Sequence, residues 1–290
     1  MVNLALPRRI DGLHRLAPRY EALICDVWGV LHNGVASFAK ARTALANYRA
    51  AGGTVVLITN APRTSLPVAE QIAALGIEKA SYDAIITSGD VTRSLLAAYA
   101  PARLHHIGLE RDASLYEGLA LERSGLADAE IVICTNLRDD SHESPADYEE
   151  ELRALAARDL PFICANPDIV VERGHQLVFC AGALAARYVA LGGRVVVAGK
   201  PHAPIYEAAL AKLAALRGHA VARESVLAIG DGAPTDLKGA CDQGIDVLFV
   251  TGGIHAGHFG PPSDPDTQAV HRFLQAERLG AAAFIAELCW

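Results

Sequence analysis

Several chemically capable side chains fall directly after short apolar runs of this 290-residue chain. Asp26 closes ALICD and opens DVWGVLHNG, and Thr59-Asn60 end VVLITN. Lys200 follows RVVVAG in AGKPH, and Asp231 and Asp236 follow SVLAIG in GDGAPTD. Carboxylates supply the oxygen ligands that a hard cation such as Mg²⁺ prefers. Lysine gives an anion a point charge, and a hydroxyl with the N–H groups of a helix start can donate to phosphate oxygens. Together these residue types suit a divalent cation and a phosphate. Taken singly, each is an ordinary capping or turn residue. Other candidates lie nearby. His32 sits just past Asp26, where it can donate a proton or simply bond backbone. Arg63 follows Thr59-Asn60 closely enough to meet a second anionic group, or to be a solvated arginine at a helix start. Asn166 and Asp168 stand in CANPD, which also reads as a turn. The eleven histidines show no HxxxH spacing, which argues against zinc. His105 and His106 adjoin in a strand and point to opposite faces.

The elements that must position these groups are legible. Apolar runs at 22–26, 54–59, 84–87, 104–107, 131–135, 161–165, 194–198, 225–230 and 245–251 alternate with helical stretches at 36–51, 65–75, 90–100, 145–157, 181–191, 202–216 and 234–243. Continuous rather than alternating apolar strands imply a parallel sheet covered on both faces. The chain is therefore expected to be α/β, and polar groups at strand ends fall where such sheets bind ligands. A hydrophobic content of 51% excludes wholesale disorder. A net charge of −7, without a run of Lys and Arg, argues against nucleic acid and anionic membrane surfaces as partners. No stretch reads as a transmembrane span or signal peptide, and the six cysteines contain no CxxC pair, so a cytoplasmic protein with reduced thiols is expected.

The ordered set resembles the motifs of the haloacid dehalogenase (HAD) superfamily, in particular its class IIA branch of NagD-like and pyridoxal-phosphate-phosphatase-like hydrolases. The echoes are TNAPR, ITSGDVT at 86–92, CANPD at 164–168, FCAGAL at 179–184, AGKPHAPIYEAAL at 198–210 and GDGAPTDLKGACDQG at 230–244. They spread over about residues 22–255. The resemblance implies a Rossmann-like core, a parallel sheet flanked by helices, formed by residues 1–87 and 195–290, with an α/β cap inserted at 88–194. It implies a Mg²⁺-dependent hydrolase, a phosphatase of a small phosphorylated metabolite. Asp26 would be the nucleophile, and Thr59 and Lys200 would hold the phosphoryl group. Asp26, Asp231, Asp236 and the Trp28 backbone carbonyl would surround the metal. Asn60, Arg63, Asn166, Asp168 and the Trp28 side chain would meet the substrate, and pairing of two copies through the cap is expected.

One position departs from the pattern. The family's phosphatases read D-x-D, and their second Asp protonates the leaving oxygen. Here that place is Trp28. General acid–base catalysis contributes about 10²–10⁴ in rate. Two alternatives to an efficient phosphatase therefore stay open: a HAD hydrolase of a non-phosphoester bond, and a phosphate-binding protein that has lost turnover.

Overall fold

Runs of Val, Ile and Leu buried on both faces make the sheets. The computed structural model describes residues 6–173 and 176–290. Its strands are β1 (Arg8–Arg9), β2 (Ala22–Asp26), β3 (Thr54–Thr59), β4 (Ala84–Thr87), β5 (Ala102–Ile107), β6 (Leu121–Arg123) and β7 (Ile131–Cys134). They continue with β8 (Pro161–Cys164), β9 (Val170–Arg173), β10 (Gln176–Phe179), β11 (Arg194–Val197), β12 (Val226–Gly230), β13 (Asp246–Val250) and β14 (Ala283–Ile285). The helices are α1 (Ala39–Ala50), α2 (Ser65–Ala74), α3 (Ser88–Ala97), α4 (Glu149–Ala156), α5 (Ala181–Ala190), α6 (Ala203–Arg217), α7 (Lys238–Asp242) and α8 (Thr267–Glu277).

The chain divides into two units. The first contains residues up to Thr59, Ala69–Ile86 and Tyr206–Trp290; the second contains Asn60–Val68 and Thr87–Ile205. The first is built on a seven-stranded sheet of order β1-β14-β13-β12-β2-β3-β4, parallel from β1 through β3. Every residue of β2 and β12 is buried, as two-sided coverage requires. The second unit has a five-stranded parallel sheet of order β11-β8-β7-β5-β6 and a β9–β10 antiparallel hairpin. β11, which the sequence reading assigns almost wholly to the final core segment, pairs in register with β8 of this smaller sheet.

Elsewhere the elements differ from expectation in detail. The helix expected over 145–157 opens as a 3₁₀ turn, Pro145–Tyr148, held by a Ser144–Asp147 capping box before α4 begins. The helix expected over 234–243 opens as a π-helical turn, Ala233–Leu237. Such turns recur at functional sites. All six cysteines are free thiols; Cys134 and Cys164 are Cα partners across β7 and β8, and burial pushes Cys164 up to about 12.

Candidate active site

In the first unit, β2 and β12 are neighbours with Cys25 opposite Ile229, so the residues ending them emerge side by side. Asp26 ends β2, and Asp231 follows β12 directly. Asp236 comes back from the π-helical turn. These three buried carboxylates each place an oxygen within 4.8 Å of the others. Thr59 ends the next strand, one residue beyond the partner of Asp26, and is also buried.

The backbone is shaped to this cluster. Asp231 Oδ2 accepts the Ile254 N–H at 2.8 Å. A Cβ on either Gly29 or Gly253 would run into the Asp231 carboxylate, and Gly29 has a left-handed φ of +83°. Asp236 Oδ2 accepts the Gly232 N–H at 3.0 Å, and its carbonyl accepts the Tyr206 hydroxyl at 3.3 Å. Gly239 makes the room that Tyr206 occupies. His255 Nε2 accepts the Ala233 N–H at 3.1 Å, and burial lowers its pKa, keeping the ring a neutral acceptor. The set of donors fits Mg²⁺. Three buried carboxylates this close repel one another unless a cation lies between them. All are hard oxygen ligands, and their spread matches the span across one ion at about 2.0–2.6 Å per bond.

Trp28 follows two residues after Asp26 and is half-buried. Its indole meets the His32 ring edge-on, with centroids 4.9 Å apart at 68°. Gly34, at φ +85°, lies under the indole; a Cβ there would touch the ring. His32 Nδ1 accepts the Gly34 N–H at 2.8 Å, and burial lowers the His32 pKa to about 4. Of the two roles read for His32, the structure gives the backbone-bonding one: the ring stays neutral at physiological pH, its basic nitrogen already engaged.

In the second unit, Lys200 is 2% exposed and follows β11. Its backbone N–H donates to Asn60 Oδ1 at 2.8 Å. Asn60 Nδ2 donates to Asp168 Oδ1 at 2.9 Å and to the Lys200 carbonyl at 3.3 Å. Asn166 Oδ1 accepts the Asp168 N–H at 3.1 Å, shaping the turn after β8. The structure therefore gathers Asn60, Asn166, Asp168 and Lys200 into one hydrogen-bonded group. Gly199 is required by close packing, since a Cβ would strike Asn60 Oδ1 and approach Ser88 Oγ. Burial lowers the Arg63 pKa, with Arg111 lowering and Asp112 raising it.

Sequence reasoning missed some residues that hold these groups. Asp90 takes the Thr87 N–H on one oxygen and the Ser65 N–H on the other, tying the start of α3 to that of α2 just after Arg63. Its signal was available, since Thr87-x-x-Asp90 is a capping box. Ser88 Oγ, fully buried, has no hydrogen-bond partner. Gly253 and His255 had no signal of their own, because their role depends on β13 delivering them beside β12.

Residues 23–122 match the family described as haloacid dehalogenase-like hydrolase, and residues 197–275 match one described as HAD-hydrolase-like. A crystal structure of a hydrolase of the haloacid dehalogenase-like family from Brucella suis 1330 is 48% identical, covering 98% of this chain and 100% of its own, with a TM-score of 0.86. The chain belongs to the haloacid dehalogenase-like hydrolases. A glycerol phosphate phosphatase from Mycobacterium tuberculosis in complex with calcium is 25% identical, at 82% and 68% coverage and TM-score 0.62. NagD from E. coli K-12, at 21% identity, 92% and 96% coverage and TM-score 0.68, shares the fold. No curated protein matches the chain.

Proposed function

We propose that the protein is a Mg²⁺-dependent phosphatase acting on a small phosphorylated metabolite, with Asp26 as nucleophile. The observation that carries this reading is the trio of buried carboxylate oxygens within 4.8 Å at the ends of two adjacent parallel strands. An Asp26 oxygen attacks phosphorus as the ester P–O bond breaks, and the leaving oxygen takes the electron pair. Water then hydrolyses the acyl phosphate, returning the carboxylate and inorganic phosphate. Asp26, Asp231, Asp236 and the Trp28 carbonyl would hold Mg²⁺, which when bound neutralises charge on the phosphoryl group. Thr59 would donate its hydroxyl to that group and Lys200 its ammonium. Residues 88–194 serve as the cap that excludes water and selects substrate, with Asn60, Arg63, Asn166 and Asp168 on the substrate side. Its M. tuberculosis neighbour, a glycerol phosphate phosphatase, supports phosphomonoester chemistry. The protein would act in the cytoplasm, consistent with the finding that no described helix is long and apolar enough to cross a membrane. Two copies would pair through their caps.

Trp28 favours one second reading, a HAD hydrolase of a bond whose leaving group needs no proton. A single panel separates them: p-nitrophenyl phosphate, sugar phosphates, acyl phosphates and haloacids, each with and without Mg²⁺. Metal-dependent phosphate release supports the phosphatase. Halide release without phosphate release, or no turnover of any compound, overturns it.

A further inference from the structure

In the first unit, the loop that carries Asp231 and Asp236 opens with a helical turn that cannot cap itself. Ala233 and Pro234 begin the π-helical turn, and the first N–H groups of a helix have no acceptor within it. Proline brings no N–H, but Ala233 does, and Ala233 is 1% exposed. The usual remedy is a Ser, Thr, Asp or Asn side chain at the N-cap. That place is Gly232, which makes no side-chain cap. A Cβ there would come within 2.3 Å of Thr235 Oγ1 and 3.2 Å of Asp236 Oδ2, so the folded turn excludes a capping side chain. The Asp236 carboxylate is itself engaged with the Gly232 N–H at 3.0 Å.

The missing acceptor comes from the next loop of the same unit. His255 Nε2 takes the Ala233 N–H at 3.1 Å. The residue before it, Ile254, gives its N–H to Asp231 Oδ2 at 2.8 Å. Two consecutive residues thus take hold of the carboxylate loop, one by the Asp231 side chain and one by the backbone between the two aspartates. Their own loop is anchored. The Thr251 and Gly252 N–H groups donate to the carbonyls of Ile285 and Ala286 at 2.9 and 2.8 Å, behind the end of β14. The His255 ring is packed in place, with centroids 5.0 Å from Phe273 of α8 and 6.0 Å from His258. Phe273 in turn stacks on Phe249 of β13 at 6.2 Å and 10°.

The geometry points to His255 as a cap supplied from outside the turn, which fixes the spacing of Asp231 and Asp236 and thereby the preference of the site for Mg²⁺ over Ca²⁺. His255 is a positioning residue, acting through the Ala233 backbone. This assignment rests on the reading of the three carboxylates as a Mg²⁺ site and adds what sets its selectivity. Mg²⁺ demands near-octahedral geometry with bonds of about 2.0–2.1 Å, whereas Ca²⁺ accepts about 2.3–2.6 Å in a looser sphere. A carboxylate loop allowed to shift therefore gives up Mg²⁺ first.

Calorimetric titration of the metal-free protein with MgCl₂ and with CaCl₂ reads both affinities without any turnover. His255→Phe keeps an aromatic ring against Phe273 and has no acceptor. His255→Gln places Oε1 as many bonds from Cβ as Nε2 is, and His255→Asn stops one bond short. His255→Phe and His255→Asn should weaken Mg²⁺ binding at least about tenfold, and Ca²⁺ binding less than about threefold, since groups that orient metal ligands are worth about 10–100-fold in affinity. His255→Gln should stay within about threefold of wild type for both ions. Circular dichroism confirms folding, and the contrast of Gln with Asn stands even if His255→Phe does not fold, because both lose the ring. Mg²⁺ and Ca²⁺ affinities that fall in equal proportion, or Gln and Asn variants that bind Mg²⁺ alike, overturn the assignment and leave the metal site intact. A wild-type protein that takes up no Mg²⁺ overturns both.

Discussion

Trp28→Asp should change which phosphate esters the protein prefers. With an indole two residues after Asp26, and with His32 held neutral and bonded to the Gly34 N–H, no acid near Asp26 on the same loop is ready to protonate a departing oxygen. The leaving group must then depart as an anion, so wild-type rates should fall steeply as leaving-group pKa rises. Nitrophenyl and acyl phosphates should react well and alkyl phosphates slowly. Restoring a carboxylic acid should raise kcat/KM for alkyl esters by up to about 10²–10⁴, or about 3–5 kcal/mol of barrier, with a much smaller gain for nitrophenyl phosphate. The substitution also removes the edge-on contact with His32 and the cover over Gly34. Fully buried Trp truncations cost about 3–5 kcal/mol; the half-buried Trp28 should cost less, about 2 kcal/mol. Thermal denaturation should therefore still show a folded variant. The assay is the slope of log kcat/KM against leaving-group pKa in both proteins, with single-turnover kinetics establishing that chemistry is rate-limiting. A wild-type slope near zero would refute the reasoning, because some other residue would then be donating the proton.

Asp26→Asn should reduce hydrolysis below detection while leaving the circular dichroism spectrum unchanged, since the amide is nearly isosteric but neither a nucleophile nor an anionic ligand; retained turnover would remove Asp26 from the reaction. Activity should vanish in EDTA, return with Mg²⁺, and stay low with Ca²⁺, whose larger sphere misplaces carboxylate and phosphoryl group; full rates in EDTA would contradict the carboxylate site. Stability should be full above about pH 6.5 and fall toward pH 4, because His32 and His106 have folded pKa values of about 4 against 6.5 for the free side chain, so the unfolded chain takes up protons that the fold refuses. His106→Gln should flatten that dependence by up to one proton, about 1.36 kcal/mol per pH unit, in urea denaturation at pH 5–7; an unchanged slope would mean His106 is protonated in the fold.

The parts legible in sequence were those whose signal is local. β2, β3 and β4 match the expected runs residue for residue, because continuous apolar stretches flanked by turn residues have one reading. Asp26, Asp231 and Asp236, which the fold brings together, could be singled out because strand ends can be located without knowing strand order. β1 is two exposed arginines and carries no apolar run; it exists only because β14 offers an edge. In the β9–β10 hairpin the residues are half-buried or exposed in the main, so apolar periodicity was too faint to define it. Side-chain wiring was out of reach for another reason. Glu151 draws His105 and Arg138 onto one carboxylate, and although burial would raise its pKa, those two partners bring it down to about 2. No spacing in the sequence announces partners 46 and 13 residues away.

The pairing of β2 with β12 has a consequence for how the protein is made. Ala22 lies opposite Val226, so about two hundred residues must leave the ribosome before the strand bearing Asp26 meets the one that leads to Asp231. The smaller sheet needs nothing beyond Val197 and can close first. Until β12 arrives, β2 presents one unpaired edge, apolar from Ala22 to Cys25, the kind of surface on which nascent chains associate with each other. A chain stopped short of residue 226 would keep Asp26, lack the other two carboxylates, and be sticky rather than merely inactive. Asp26 thus spends most of synthesis on an open edge, and the three-carboxylate cluster is among the last features the chain acquires.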